Sequence, residues 1–256
     1  MENSIEQGHV KTKVENGIGE VCFFHPMSNS LPGKLLRELA AKITELGNNT
    51  DVKVIILKSE GEKAFCAGAS FDELISIKDL ESGTYFFSGF AAVINAMRKA
   101  PKFVLARVQG KAVGGGVGLA SAADYTFAHE SASVKLSELA VGIGPFVVGP
   151  AVERKIGKSA FVQMTIDAAN WQTAQWAREK GLFAEVFSST VDMDSSMKKL
   201  ASTLALSNPE AMRTLKKVFW EGTDHWDHLL AERAGISGKL VLSEFTKNAI
   251  NTFKSK

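Results

Sequence analysis

The chain has 256 residues, of which 45% are hydrophobic and 23% are charged, and its 30 basic side chains nearly balance its 28 acidic ones. This length suffices for one large α/β domain with a smaller appended region. The formal charge of +2 is too small to attract a polyanion over a broad face, which argues against nucleic acid as a partner. The longest uncharged stretch, residues 139–152, falls short of the ~18 residues that a membrane span needs, so we expect no membrane partner.

Two cysteines, Cys22 and Cys66, lie far apart in the sequence and fit no metal-binding spacing. Reduced thiols are typical of the cytoplasm, and the polar first residues, MENSIEQGHVKTK, lack the apolar core of a secretory signal. His225 and His228 have a helical spacing but no third metal ligand in a matching context, which favours solvated histidines. We therefore expect a cytoplasmic protein without a metal site.

The first half of the chain predicts a hairpin followed by alternating helices and strands. Asn16 and Gly17 form a turn signal between two β-rich runs, residues 10–15 and 19–24. The pattern then predicts, in order, a helix at 35–46, a buried strand at 53–58, helical residues 71–98, a strand at 102–108 that leads straight into three glycines, a helix from about 116 and a strand at 124–128. This alternation predicts parallel strands joined by right-handed crossovers.

The second half is mostly helical from about residue 146, with one short strand at 185–187. From residue 191 to 256 the pattern indicates only helices, whose apolar stripe packs either on the core or on another subunit. We therefore predict a core over residues 1–190 and an α-helical region over residues 191–256. The string GKS at 157–159 lacks the upstream glycine and the preceding strand of a phosphate-binding loop, and is predicted to end a helix.

Two glycine-containing loops, FCAGAS at 65–70 and GGGVG at 114–118, each follow a predicted strand. Because parallel strands end at one edge of a sheet, we expect the two loops to lie together. Their backbone N–H groups, with a helix N-terminus behind the second, form a site for a carbonyl oxygen that becomes negative during a reaction. Tight packing of the helix on the sheet explains the glycines equally well. A dinucleotide-binding fingerprint does not, because its third glycine position holds Leu119.

These stretches resemble the crotonase superfamily, the enoyl-CoA hydratases and isomerases, over nearly the whole chain. The resemblance is carried by FCAGA at 65–69, the glycine triplet, Leu119, Ala120, Asp124, Ser137, Glu138, Gly142 and Ile143. It implies an α/β fold, a crotonase-like spiral of ββα units with a C-terminal helical trimerisation region, assembled as a homotrimer or a hexamer (a dimer of trimers). It also implies an acyl-CoA thioester substrate, with coenzyme A as part of the substrate and no separate cofactor, and a structural role for Asp124.

The resemblance further implies a set of site residues. The N–H groups of Ala69 and Gly115 form the oxyanion hole for the thioester carbonyl, and Glu138 is the catalytic acid and base. The loop at 64–69 contacts coenzyme A. The substrate-binding positions implied in this way are Ala64, Phe65, Ala67, Gly68, Gly114, Gly118 and Phe146.

The position of Gly118 distinguishes two reactions within the resemblance. Enoyl-CoA hydratases of this family carry one glutamate two residues after the glycine triplet and a second about twenty residues later, whereas this chain has Gly118 at the first position and Glu138 at the second. Hydration needs groups that orient and deprotonate water, while one carboxylate can move a proton between the α- and γ-carbons of a 3-enoyl thioester. A resemblance to isomerases that work with one glutamate favours conversion of 3-enoyl-CoA to 2-enoyl-CoA.

The residues that follow Glu138 fit this interpretation, because the apolar segment 144–148 predicts a dry pocket that raises the Glu138 pKa and excludes water. Two alternatives stay open: hydration of a 2-enoyl-CoA, and a non-catalytic homologue that binds acyl-CoA without turnover. Asp72 and Glu73 either supply a second acid or, as we favour, place negative charge in the first turn of a helix.

Overall fold

The computed structural model describes residues 4–254; residues 1–3, part of the polar N-terminal stretch considered above, and residues 255–256 lie outside the described range. The strands are β1 (His9–Glu15), β2 (Ile18–Phe24), β3 (Ser30–Leu31), β4 (Val54–Ser59), β5 (Ala64–Cys66), β6 (Gly68–Ala69), β7 (Phe103–Val108), β8 (Lys111–Val113), β9 (Tyr125–His129), β10 (Ser133–Lys135), β11 (Gln172–Thr173) and β12 (Glu185–Phe187). The helices are α1 (Gly33–Asn48), α2 (Phe71–Ser76), α3 (Leu80–Lys99), α4 (Gly115–Ala122), α5 (Gly149–Ile166), α6 (Ala174–Glu179), α7 (Thr190–Ala205), α8 (Pro209–Phe219), α9 (Trp226–Leu240) and α10 (Glu244–Lys254). Across this range no helix combines the length and the apolar character needed to cross a bilayer.

The main sheet has six strands in the order β1-β2-β4-β7-β9-β12. Strands β1 and β2 form the predicted antiparallel hairpin, and the other neighbouring pairs are parallel. The hairpin turns at Asn16 and Gly17, which have φ values of 51° and 78°, as a tight two-residue turn requires. The α/β class and the parallel arrangement of the crossover strands are therefore confirmed.

Strand β4 shows why this sheet is buried on both faces. Its side chains alternate between two hydrophobic cores, since Ile55 and Leu57 belong to the core that contains α1 and α3, whereas Val54 and Ile56 belong to the core that contains α7. Successive residues of a strand point to opposite faces, so a continuous apolar run is needed when both faces are covered. The run VIIL in the sequence reflects this.

Two local predictions are wrong. Strand β7 does not lead straight into the glycines, because β8 lies between them and joins β5, β10 and β11 in a second sheet of order β11-β10-β8-β5. The helical residues 71–98 are two helices, α2 and α3, separated at residues 77–79, and α3 starts where the Asp79 carboxylate accepts a hydrogen bond from the Ser82 N–H. A three-residue strand carries too little periodicity to be recognised, and the capping aspartate lies inside an otherwise helical pattern.

The helices after residue 190 pack on the rest of the same chain. Helix α7 contacts the main sheet, α9 packs against α3, and Val241 and Ile250 join the larger core. Helix α8 is tied to the start of β9 through Asp124, whose carboxylate is 2.5 Å from Lys216 Nζ and 3.0 Å from Trp220 Nε1. This is the structural role expected for Asp124. The boundary at residue 190 and the trimerisation of this region stay predictions.

Candidate active site

The two glycine-containing loops lie together in the fold. They follow β5 and β8, which are parallel neighbours in the second sheet. Gly68 has a φ of 87°, and a Cβ atom built on it would lie 2.8 Å from the Val113 carbonyl oxygen and 3.4 Å from the Gly115 nitrogen. Strand β6, which contains Gly68 and Ala69, is held in place by parallel pairing with β3. The convergence expected from the sequence is therefore present, although in the small sheet rather than the main one.

The glycine triplet is required by close contacts on more than one side. Gly114 has a φ of 52° and precedes α4, and Gly115 is the first residue of that helix. A Cβ atom on Gly115 would lie 2.6 Å from Phe90 Cζ, and one on Gly116 would lie 2.8 Å from Cys66 Cβ. The N–H of Gly115 belongs to the first turn, where amides have no acceptor within the helix. The close contacts support the packing explanation of the glycines, and the same packing brings the N-terminus of α4 near the loop that contains Gly68.

The carboxyl group of Glu138 lies against this helix start. The residue comes between β10 and a short 3-10 turn, Leu139–Val141. Although the residue as a whole is only partly buried, its Oε2 is sealed from solvent and has no hydrogen-bond partner among the described residues. A Cβ atom on Gly114 would lie 2.8 Å from Glu138 Oε1. Burial raises the pKa of Glu138 to about 7, so near neutral pH the group can both accept and return a proton.

A cavity of about 90 Å³ opens between these groups. Glu138 is the one titratable side chain among the described residues that line it, and most of the wall is apolar. Seven predicted site residues are among those that line the cavity: Ala67, Gly68, Ala69, Gly114, Gly115, Glu138 and Phe146. An apolar pocket with a few convergent polar groups is the usual form of a small-molecule site.

Two of the predicted substrate-binding positions, Ala64 and Phe65, do not line this cavity. The Phe65 side chain is fully buried in the core, where its ring packs edge-on against Phe23 with 5.6 Å between the centroids. The Ala64 carbonyl accepts hydrogen bonds from the side-chain amides of Asn29 and Gln109. Both residues therefore shape the loop from behind rather than face this cavity.

Gly118 also does not line the cavity, because Val148 covers it. A Cβ atom built on Gly118 would lie 2.7 Å from Val148 Cβ, and Val148 itself is a lining residue. Gly118, which was predicted as a substrate-binding position, therefore does not face this cavity. The space next to it is filled by an aliphatic side chain from the apolar segment at 144–148.

Sequence reasoning missed cavity residues that come from distant helices. Phe87 and Phe90 of α3 form part of the wall, and Ser237 of α9 reaches it from near the other end of the chain. The two phenylalanines are three residues apart and share a helix face, which is a weak signal of a buried surface. Nothing local marks Ser237, because its position depends on how α9 packs on α3.

The other residues considered as candidates in the sequence have structural roles or lie away from the cavity. The Glu73 carboxylate accepts a hydrogen bond of 2.7 Å from the N–H of Gly33 at the start of α1, and neither Asp72 nor Glu73 lines the cavity. Both acids lie in the first turn of α2, as favoured above. Gly157, with a φ of 79°, interrupts α5 at the predicted helix end. Across residues 4–254 no group of three metal-ligating side chains is found, around His225 and His228 or elsewhere.

Comparisons with known proteins agree with this geometry. A family model described as enoyl-CoA hydratase/isomerase matches residues 13–252. The chain is 28% identical to a short-chain-enoyl-CoA hydratase of Clostridium acetobutylicum, over 98% of this chain and 97% of that protein. It is 33% identical to the mitochondrial methylglutaconyl-CoA hydratase of Rattus norvegicus, over 77% of this chain and 63% of that protein.

A solved structure extends the likeness to the backbone. The crystal structure of an enoyl-CoA hydratase from Bacillus halodurans superposes with a TM-score of 0.87 at 20% identity, over 95% of this chain and 99% of that one. At this level of identity the likeness supports the fold alone. The crotonase-like fold implied by the sequence is confirmed.

Proposed function

This chain belongs to the enoyl-CoA hydratase/isomerase family of the crotonase superfamily, and we propose that it isomerises a 3-enoyl-CoA to the 2-enoyl-CoA with Glu138 as the single acid and base. The observation that carries the proposal is the buried carboxyl group of Glu138, whose Oε2 has no hydrogen-bond partner among the described residues. It is the one titratable group among the described residues of the cavity wall, and it lies directly beside the start of α4. A reaction that needs one proton carrier fits this wall better than a reaction that needs two.

The proposed mechanism uses the two converging loops and one carboxylate. The thioester carbonyl accepts hydrogen bonds from the N–H groups of Ala69 and Gly115, which stabilise negative charge on its oxygen. Ionised Glu138 removes the proton from the α-carbon, and the electron pair spreads over the carbonyl and the former 3,4 double bond as a dienolate. Protonated Glu138 then delivers the same proton to the γ-carbon, which leaves the double bond in the 2,3 position and regenerates the carboxylate.

The apolar wall supports isomerisation over hydration. Val148 fills the space beside Gly118, where the resemblance places the first glutamate of a hydratase. Without that carboxylate an attacking water has one fewer group to hold and deprotonate it. A water-poor cavity also keeps the dienolate from unproductive protonation by solvent.

The decisive experiment compares purified protein acting on 3-hexenoyl-CoA and on crotonyl-CoA. Conjugation of the double bond is followed by the absorbance of the 2-enoyl thioester, and addition of water is followed by a product mass 18 Da higher. We expect conjugation of 3-hexenoyl-CoA and no hydration of crotonyl-CoA. Rapid hydration of crotonyl-CoA without conjugation of 3-hexenoyl-CoA would overturn the isomerase assignment.

Hydration of a 2-enoyl-CoA is the second candidate, and it is favoured by two of the relatives described above, which are named as hydratases. A direct test restores the missing acid. Because a side chain at 118 collides with Val148, the informative variant is Gly118→Glu combined with Val148→Gly. A gain of hydration in the double variant, absent from Val148→Gly alone, would indicate that the second carboxylate limits the wild-type reaction.

A third outcome concerns turnover itself. If the protein binds acyl-CoA but exchanges no α-proton with solvent D₂O, it is a non-catalytic acyl-CoA-binding homologue.

We also propose that coenzyme A enters as part of the substrate, that no separate cofactor is used, and that the protein works in the cytoplasm as a homotrimer or a dimer of trimers. Size-exclusion chromatography with light scattering measures the mass of the assembly and so tests the oligomeric state.

A further inference from the structure

Helix α9 reaches the cavity because it crosses α3 at a pair of glycines. A Cβ atom built on Gly83 would lie 2.7 Å from the Gly238 carbonyl oxygen, and one built on Gly238 would lie 2.5 Å from the Thr84 nitrogen. The two helix backbones are therefore in direct contact at this point. The close approach places Ser237, the neighbour of Gly238, in the cavity wall together with Phe87 and Phe90 of α3.

Ser237 is an unusual member of this wall. The residue is 1% exposed and lines the cavity, and no hydrogen bond from its hydroxyl group to another residue in the range 4–254 is found, although its oxygen is not among the fully sealed side-chain atoms. A buried hydroxyl without a partner is unfavourable, so proteins normally pair such groups with protein, water or ligand. The hydroxyl of Ser237 has no protein partner and lines the cavity, which makes a bound molecule its natural partner.

The surroundings of Ser237 define the chemistry of that partner. Much of the cavity wall consists of apolar side chains, among them Phe71 and Leu74, and no lysine, arginine or histidine is among the described lining residues. A second anionic group in this space would lack a counter-ion and would share the cavity with Glu138. A neutral oxygen can pair with a serine hydroxyl either as donor or as acceptor. A hydroxyl or keto oxygen is therefore the group that fits.

We propose that Ser237 forms a polar subsite that recognises a hydroxyl or keto oxygen on the acyl chain of the substrate. The proposal rests on the proposed function in that an acyl-CoA thioester occupies this cavity. Ser237 is a specificity-determining residue in this view, and Glu138 keeps the chemistry. The preferred substrates are acyl chains that carry a neutral oxygen, rather than plain hydrocarbon chains of the same length.

Binding measured by calorimetry with matched thioester pairs tests the subsite. The pairs are butyryl-CoA with 4-hydroxybutyryl-CoA, and pentanoyl-CoA with 5-hydroxypentanoyl-CoA, so that each pair differs by one oxygen. We expect wild-type protein to prefer the hydroxylated member of at least one pair by about 2- to 10-fold, as one neutral hydrogen bond allows. Ser237→Ala removes that preference and leaves the Kd of the unsubstituted thioester nearly unchanged. Ser237→Cys, which places a somewhat larger and weakly donating thiol at the same position, should also remove the preference.

Ser121 provides a matched control. It is also 1% exposed and its hydroxyl is also unpartnered among the described residues, but it lies in α4 and does not line the cavity. Ser121→Ala should therefore preserve the preference. If no pair shows a wild-type preference, or if Ser121→Ala abolishes the preference as fully as Ser237→Ala, the subsite is overturned while acyl-CoA binding still supports the proposed function. If no thioester binds at all, both fail together.

Discussion

Two regions of this molecule bury a carboxylate, and they treat it in opposite ways. Asp124 accepts hydrogen bonds from the N–H of Val104 at 2.7 Å, from Lys216 Nζ at 2.5 Å and from Trp220 Nε1 at 3.0 Å. Glu138 faces an apolar cavity, and its Oε2 has no partner among the described residues. Both groups stand next to glycine-rich helix α4, one after its end and one at its start.

The number of hydrogen-bond donors around each carboxyl group indicates which of the two acids is suited to proton transfer. A carboxylate that accepts hydrogen bonds from three donors, one of them a buried ammonium group, acts as a cross-link between α8 and the sheet. The Glu138 carboxyl group has one oxygen without a partner among the described residues, and burial outweighs the hydrogen bond from its own backbone N–H and raises its pKa toward neutrality. Pairing, rather than burial, separates the structural acid from the reactive one.

The largest expected effect is on catalysis at the unpaired acid. Glu138→Gln keeps the size and polarity of the side chain but removes the proton carrier, so isomerisation should fall by about 10²- to 10⁴-fold. The KM or Kd for the thioester should change far less, because the substitution leaves the proposed oxyanion hole of Ala69 and Gly115 intact. Single-turnover kinetics together with direct binding measure the two effects. An active Glu138→Gln variant would contradict the assignment.

The next effect is on stability at the paired acid. Asp124→Ala leaves Lys216, which is 2% exposed, without its counter-charge, and should lower the free energy of unfolding by about 3–5 kcal/mol. Combining it with Lys216→Met removes the stranded charge and should recover part of the loss. Urea unfolding of the single and double variants measures this. Equal stability of Asp124→Ala and wild type would show that the cluster contributes little.

The pH dependence of the unfolding free energy is expected to differ between wild type and Glu138→Gln. Folding raises the pKa of Glu138 from an ordinary value near 4.5 to about 7, so the folded state binds this proton more tightly than the unfolded state does. The stability contributed by the protonated group is complete below pH 4.5 and is lost as the pH rises through 7. Relative to wild type, Glu138→Gln should therefore gain about 3 kcal/mol between pH 4 and pH 8. A pH-independent difference in unfolding free energy would contradict this.

The same raised pKa predicts the pH dependence of activity. Because the reaction starts with ionised Glu138, kcat/KM should rise with pH through an apparent pKa near 7 and then level off. Asp124→Asn serves as the control, since it alters a buried carboxylate that does not line the cavity. A midpoint near 4.5 would mean that the group is solvated during turnover.

The smallest effect is expected at an exposed carboxylate. Glu45 lies 2.8 Å from Lys42 on the surface of α1, and its side chain is 64% exposed. Exposed pairs of this kind contribute about 0–1 kcal/mol, so Glu45→Gln should barely shift the urea midpoint and should leave activity unchanged. A loss of unfolding free energy comparable to that of Asp124→Ala would mean that an ion pair contributes as much to stability at the surface as in the interior.

The sequence predicted the parts of the fold that depend on local signals. Asn16 and Gly17 marked the hairpin, the run VIIL marked a strand covered on both faces, and FCAGA and GGG marked two loops that converge. Glu138 was identified by its resemblance to a family position, and the structure places its carboxyl group beside Gly114 in the cavity.

Features that depend on contacts across the chain were not predictable in this way. The short strand β8 is defined by its pairing with β5 and β10. Val148 covers Gly118 because α5 packs on α4. Ser237 lines the cavity because α9 packs against α3. Phe65 illustrates the same limit, because a residue next to a functional loop faces the core when its strand places it there. Closeness to a functional loop in the sequence does not determine which way a side chain points in the fold.

The glycine crossing between α3 and α9 has a consequence for how the protein matures. The wall that holds Ser237 comes from the last quarter of the chain, whereas the oxyanion loops and Glu138 come from the middle. A ribosome that has released only the first 190 residues has therefore made every group proposed for proton transfer but not the complete chamber. A thioester bound in the complete cavity would therefore stabilise the docked position of α9, because a ligand that binds only the folded arrangement adds its binding free energy to the stability of that arrangement.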